Sequence, residues 1–241
     1  MGIPWSIWSR PAQGTVVALT GDFAAGDPTS DNTCLLAHDA STGKPIAAVY
    51  TKIDFDQTAD EMAKFVSWAM DLGADVWANG ENNGVGIAVK KAFAKYGHKQ
   101  NYLRQIEKYE DDEPTSKIWI TQSGRVREAL LAQMRVAYNN RDIEVLDARF
   151  VSEARSFEKV NGKWQAAKRK NEETGDRCYD DYIMCYAMQC ELIRWLRAEG
   201  YATVAEAQQP IPIRKASNMV SVIVGRDKDL QRIFKKVGLI R

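Results

Sequence analysis

The fold turns on the stretch Thr15-Val16-Val17-Ala18-Leu19-Thr20-Gly21-Asp22. The run from Thr15 to Thr20 is short, mostly apolar and β-branched, which is how a buried strand reads. It stops at Gly21-Asp22, and a loop rich in Gly, Asp, Pro and Ser follows. Working outward, Thr33 to His38 reads as a second strand, Ser41-Thr42-Gly43 as a turn and Pro45 to Ile53 as a third strand. Three strands with short connections predict an antiparallel meander. Upstream, residues 1–14 read as a lead-in segment.

Beyond the meander the period changes from two to about 3.6. Thr58-x-x-Glu61 predicts a capping box, and Met62, Phe65, Val66, Ala69 and Leu72 follow at helical spacing up to Gly73. Ala74 to Ala78 predicts a short strand that runs into Asn79-Gly80-Glu81. Asn82-Asn83-Gly84 leads into a helix closed by Gly97. Residues 107–113 are acidic and read as a solvated loop. Ile118 to Thr121 predicts a strand, Ser123 or Gly124 opens a helix, and Ile143 to Leu146 predicts another strand. Asn161-Gly162, between two short alternating runs at about 157–167, predicts a tight hairpin. A helix from Asp180 to about Ala198, closed by Gly200, ends the regular part. Residues 201–241 form a basic tail. A meander followed by alternating helices and strands predicts an α/β fold, a mixed sheet covered by helices.

Composition fits one soluble domain. The chain has 241 residues, 45% hydrophobic and 27% charged, enough for a sizeable core. No apolar run approaches the roughly 20 residues that span a bilayer, so no membrane partner is expected. The N-terminus has no basic start followed by an apolar stretch, so a secretion signal is not expected. Cys34, Cys178, Cys185 and Cys190 form no CxxC pair, which argues against structural zinc and for reduced thiols.

Three acidic sites share one context. Asp22 follows the first strand, Glu81 follows the fourth, and Asp180-Asp181 opens the last large helix. Groups beyond the carboxyl ends of parallel strands face a common crevice. If the first and fourth strands are neighbours, Asp22 and Glu81 meet there, and a helix starting over the crevice adds Asp180 or Asp181. Packed carboxylates repel unless cations neutralise them, and hard oxygen donors favour Mg²⁺ or Mn²⁺. Each acid alone also has a dull reading: a turn former for Asp22, a loop residue for Glu81, a cap for the Asp180-Asp181 pair. Their joint placement is what carries the inference.

These motifs resemble the nuclease domain of tailed-phage large terminases, in the RNase H-like superfamily. The segment Ala18 to Gly26 with Asp31 resembles the family's first catalytic strand and loop. Gly80-Glu81-Asn82-Asn83-Gly84-Val85-Gly86 is similar to its glutamate-asparagine-glycine motif. Tyr179-Asp180-Asp181-Tyr182, followed by Met184, Ala187 and Met188, resembles the closing motif, with Tyr179 where the family usually has His. Ile7-Trp8-Ser9-Arg10-Pro11 resembles the segment before the first strand. The likeness spans residues 5–198. It implies an RNase H-like mixed sheet of five to six strands flanked by helices, with an inserted β-hairpin, over residues 15–200.

The resemblance also implies a function: a Mg/Mn-dependent endodeoxyribonuclease that cuts concatemeric viral DNA during genome packaging in the host cytoplasm. Two divalent cations, Mg²⁺ or Mn²⁺, would be held with Asp22 bridging, Glu81 and Asp181 on one ion each, and Asp180 as ligand or neighbour. Asp31, or Asp27, could add a further acid. Implied partners are double-stranded DNA, the terminase ATPase domain, the small terminase subunit and the portal.

A basic stretch could serve the DNA. Residues 155–170 hold Arg155, Lys159, Lys163, Lys168, Arg169 and Lys170 against Glu158 alone. The hairpin could hold a duplex or act as a gate, or could simply be solvated. Residues 211–241 carry eight Lys or Arg against Asp227 and Asp229, a tail for DNA, for another packaging component, or for solubility. No GxxxxGK[ST] loop is present, so the chain is expected to be the nuclease without its motor. Two other readings stay open: another RNase H-like nuclease such as a Holliday-junction resolvase, and a non-catalytic docking module of a packaging motor.

Overall fold

A computed structural model describes residues 5–27, 31–98, 119–120, 124–167 and 178–203. Among these, one five-stranded sheet is built from β1 (Ser6–Ile7), β2 (Val16–Asp22), β3 (Thr33–Asp39), β4 (Pro45–Thr51) and β5 (Asp75–Gly80), in the order β1-β4-β3-β2-β5. The meander β2-β3-β4 is antiparallel, and β5 runs parallel to β2 with Val16 opposite Asp75 and Gly21 opposite Gly80. This is the mixed α/β sheet that the sequence predicts. β2 is buried from Val17 to Gly21 because helices cover both its faces.

Side-chain alternation along β2 divides the core. Val17 and Leu19 point into one layer with α1 (Phe55–Asp71) and α2 (Val85–Ala94), packing on Met62, Phe65, Val66, Val89 and Phe93. Ala18 points into the other, with α3 (Gly124–Asn140), α4 (Ala148–Ser156) and α5 (Asp181–Ala198). α5 buries 14 of its 18 residues, since it is sandwiched between the sheet and α3. All four cysteines are buried free thiols. No described helix is long and apolar enough to cross a membrane.

Several expectations are corrected. α1 begins at Phe55, not at a Thr58 cap: the Asp54 carboxylate accepts from Gln57 N at 2.8 Å, and Glu61 is spent on Trp5 Nε1 and Lys64. The lead-in contributes β1, which adds an edge strand to β4, while Trp5 stacks on Phe65 with ring centroids 4.7 Å apart. Ile143 to Leu146 is extended but joins no ladder. Its backbone is satisfied singly, Glu144 N by Gly43 O and Glu144 O by the Tyr186 hydroxyl, while Ile143 and Val145 fill the core. The helix α4 lies where no element was expected. Of the run Ile118 to Thr121, Ile120 forms a single parallel bridge to Glu81. The 107–113 loop and the tail beyond Ala202-Thr203 lie outside the described residues.

The hairpin is where the sequence predicts it. β6 (Phe157–Val160) pairs with β7 (Lys163–Ala166), and Asn161 and Gly162 both take positive φ, 49° and 82°. That is the backbone a two-residue hairpin turn requires.

Candidate functional site

The site is assembled by the parallel pairing of β2 and β5. Gly21 lies opposite Gly80, and Glu81 N donates to Gly21 O at 3.0 Å, so Asp22 and Glu81 emerge side by side. The Phe23 ring lies over both glycines. A Cβ at either position would meet that ring within 2.6 Å, which explains why neither residue carries a side chain. Phe23 continues into Trp119, with ring centroids 5.6 Å apart. Beyond Glu81 the chain turns through Asn83 into α2, and Asn83 Nδ2 donates to Glu81 Oε1 at 3.1 Å. Gly86 lets α2 close on this turn: a Cβ there would sit 2.0 Å from the Glu81 carbonyl oxygen.

The two carboxyls lie close enough to interact, and a hydrogen bond between them favours the protonated form of Asp22. Burial pushes the Asp22 carboxyl well above the usual carboxylate range, and the neighbouring Glu81, Cys185 and Asp181 push it further. Glu81 is also raised by burial, though less, because the bonds from Asp22 and Asn83 and the nearby Arg127 favour its ionised form.

Asp181, the first residue of α5, is 8% exposed, and its Oδ2 accepts from Asn32 N at 3.0 Å. This bond ties α5 to the loop that precedes β3. Asp31, adjacent to Asn32, is exposed. Asp180 faces elsewhere. Its Oδ2 accepts from Ala166 N at 3.1 Å and pairs with the Arg127 guanidinium, whose Nε donates to Trp164 O at 3.1 Å. Asp180 and Arg127 thus pin β7 of the hairpin to the start of α5. The structure sets Asp22 and Glu81 side by side, places Asp181 near enough to Asp22 to act on its charge, and engages Asp180 with the hairpin.

Arg127 was not among the expected site residues. Its signal is a cation in the first turn of α3, a turn that holds no acid, at the end of the helix dipole that disfavours positive charge. Such a residue implies a partner on another element. His38 is not part of the site. It pairs with Ala18, four residues down the strand from Asp22, and burial lowers it to about 4 while it bonds Tyr186 and the Glu144 carbonyl. On the hairpin Lys159 and Lys163 are exposed, whereas Lys168, Arg169 and Lys170 lie outside the described residues.

The donor set suits a hard divalent cation. All three neighbouring groups are carboxylates, and such acids crowd together only where protons or cations offset their charge. Two residues back along each strand, Thr20 Oγ1 and both polar atoms of Asn79 are buried with no hydrogen-bond partner, and the waters of a hydrated ion would satisfy them. Among the described residues no three His, Cys, Asp or Glu side chains form a finished cage. Asp22 and Glu81 are the nucleus, and Asp181 would have to turn from Asn32 to complete it.

No protein-family model matches the sequence, and no curated protein matches it. Solved structures do. The chain superposes on the large terminase nuclease of thermophilic phage G20c with bound magnesium at a TM-score of 0.58 and 14% identity, covering 78% of this chain and 86% of that one. The same nuclease with bound cobalt gives 0.55 at 14% identity, covering 77% and 89%. The Thermus phage P74-26 large terminase nuclease domain gives 0.51 at 14% identity, covering 80% and 84%. At such identities the likeness is one of fold, and the fold is that of phage large terminase nucleases.

Proposed function

We propose that this protein is a metal-dependent DNA endonuclease that cuts concatemeric viral DNA during genome packaging in the host cytoplasm, by two-metal phosphodiester hydrolysis. The observation that carries the reading is the Asp22–Glu81 contact at the carboxyl ends of parallel β2 and β5, with Asp181 beside it. The shared fold with nucleases solved with magnesium or cobalt supports it. Asp22 would bridge two cations, Mg²⁺ or Mn²⁺, with Glu81 and Asp181 on one each. Asp180 stands next to them, and Asp31 is a possible addition through the Asn32 loop. When bound, the cations supply an acidified water as nucleophile and neutralise charge on the leaving 3′ oxygen.

The chain's own residues do the rest. Asp22 must release the proton it shares with Glu81 before both can act as ligands, so cation loading should improve as pH rises. Asn83 orients Glu81, and Asp181 would leave its bond from Asn32 N to join the ligands. No protein nucleophile is needed, consistent with His38 lying inside the core. The terminase ATPase domain, small subunit and portal would be its partners. The test is plasmid cutting by the chain with Mn²⁺ or Mg²⁺. Nicking or linearisation that EDTA abolishes is expected, with no preference for four-way junctions. A strong junction preference would instead identify a resolvase, and inertness with both metals would leave a docking module.

The exposed hairpin lysines Lys159 and Lys163 would touch backbone phosphates, with Lys168, Arg169 and Lys170 continuing the basic stretch. Phosphate contacts release counterions, each steepening the salt dependence by about 0.9 in a log–log plot. Replacing Lys159 and Lys163 by Ala is expected to flatten that slope by about two and weaken duplex binding without sequence bias, as read by fluorescence anisotropy over a salt series. An unchanged slope removes these two lysines from the interface.

A further inference from the structure

α5 carries Asp181 to the site, yet it is not capped by its own sequence. Asp180 occupies the cap position, but its side chain makes no cap bond, being turned toward Ala166 and Arg127. The first amides of a helix have no partner within it, and buried amides need one. Here the partner comes from α4: Glu153 Oε2 accepts from Tyr182 N at 2.8 Å and from Ile183 N at 3.1 Å. Its other oxygen accepts from the Tyr50 hydroxyl at 2.7 Å. Glu153 is only 6% exposed.

These bonds form a brace behind the acids. Tyr50 of β4 pairs with Cys34 of β3, and Cys34 pairs with Asp22 of β2. One carboxylate therefore joins the sheet at the level of Asp22 to the residues immediately after Asp181. A buried carboxylate is costly, and burial raises Glu153 to about 8, with Asp181 and Asp180 adding to the rise. An apolar side chain would avoid that cost but leave both amides and the Tyr50 hydroxyl unpaired. The retained carboxylate is explained by the direction it imposes: two amide donors and one phenol fix the first turn of α5, and with it the vector of Asp181.

We propose that Glu153 is the positioning residue of the acidic site, capping α5 from another helix and aiming Asp181, so that cation binding depends on it although it never touches the cation. The inference rests on the reading of Asp181 as a ligand.

Mn²⁺ binding by calorimetry on the whole chain tests it, alongside the Mn²⁺ concentration needed for half-maximal plasmid cutting. Glu153→Gln keeps an oxygen for both amides and is expected to bind Mn²⁺ within about threefold of the parent. Glu153→Ala removes the cap, and Glu153→Asp withdraws the carboxyl by one methylene while keeping the same functional group. Both should weaken Mn²⁺ binding about 10- to 100-fold, the usual scale for groups that orient metal ligands. In Glu153→Asp, excess Mn²⁺ should restore the cutting rate, so the loss falls on the metal requirement and not on the rate at saturation. If Glu153→Ala does not fold, Glu153→Asp decides alone. Parent-like Mn²⁺ affinity in Glu153→Asp overturns the proposal. A parent chain that neither binds Mn²⁺ nor cuts would instead overturn the nuclease reading on which it rests.

Discussion

Asp22→Asn is expected to lower Mn²⁺-dependent plasmid cutting by about 10³-fold or more, and at the same time to make the metal-free protein more stable. The first effect follows from the place of Asp22 at the meeting of β2 and β5, where it would bridge both cations. Losing several kcal/mol of charge stabilisation in the transition state corresponds to about that factor. The second follows from the protonation of the pair. Burial and Glu81 raise the Asp22 carboxyl in the folded state. Such a group contributes its full stability below its unfolded value and forfeits it as pH rises through the raised folded value. Glu81 is shifted the same way, and Glu153 lies near 8. The parent should therefore lose stability from mildly acidic to alkaline pH. Asn at position 22 removes one share of that loss, so its advantage should be small at pH 5 and widen toward pH 9. Relieved sites of this kind gain roughly 0.5–2 kcal/mol, or a few degrees in Tm. Thermal melts with EDTA across this range check the trend. Added Mn²⁺ should then stabilise the parent and not the variant, because only a folded protein with its ligands intact gains from the ion. A variant that cuts normally, or that melts lower than the parent at alkaline pH, contradicts the assignment of Asp22.

Gly86→Ala is the second large effect expected, and it reaches the same site through packing. Gly86 lies in the first turn of α2, and a Cβ there would be 2.0 Å from the Glu81 carbonyl oxygen and 2.8 Å from its carbon. Both atoms are backbone, so no rotamer change relieves the clash. The turn from Glu81 to Asn83 must move, and the Glu81 carboxylate moves with it. A displacement of about 1 Å at a reacting group costs on the order of 10²-fold in rate. Destabilisation of about 2–3 kcal/mol is expected besides, the scale of a backbone-level overpacking. Ala in place of Gly inside a helix would otherwise help by roughly 0.5–1 kcal/mol, so a net loss isolates the close approach. Gly124→Ala, where a Cβ meets nothing within 4 Å, is the control and should be neutral or slightly stabilising. Normal cutting by Gly86→Ala would show that Glu81 tolerates the shift and is not a ligand.

What could be read from the sequence was local. The apolar run before Asp22, the period change after the meander and Asn161-Gly162 each dictate their own element through side-chain spacing or φ, and each is present. The elements missed are those set by partners distant in sequence. Glu61 looks like the end of a capping box, but Trp5 and Lys64 claim it and Asp54 caps the helix instead. β1 is too short to be seen without β4 beside it. α4 is short and polar on average, because Glu153 and Ser156 share its buried face with Phe150 and Ala154, so too few apolar residues mark it in the sequence. From spacing alone Asp180 and Asp181 could not be told apart, and only the family resemblance favoured Asp181 as the ligand. On a helix, adjacent residues project about 100° apart, and only the fold puts Asn32 on one side and Arg127 on the other.

The parallel pairing of β2 with β5 also governs when the site can exist. Asp22 and Glu81 are separated by β3, β4, α1 and β5, and Asp181 arrives only with α5, the last of the described helices. Contacts between such distant segments form late, since the intervening loops must close first. A nascent or half-folded chain holds the acids apart and has no cutting centre. On the proposed function, the chain becomes dangerous to DNA only once α5 has docked.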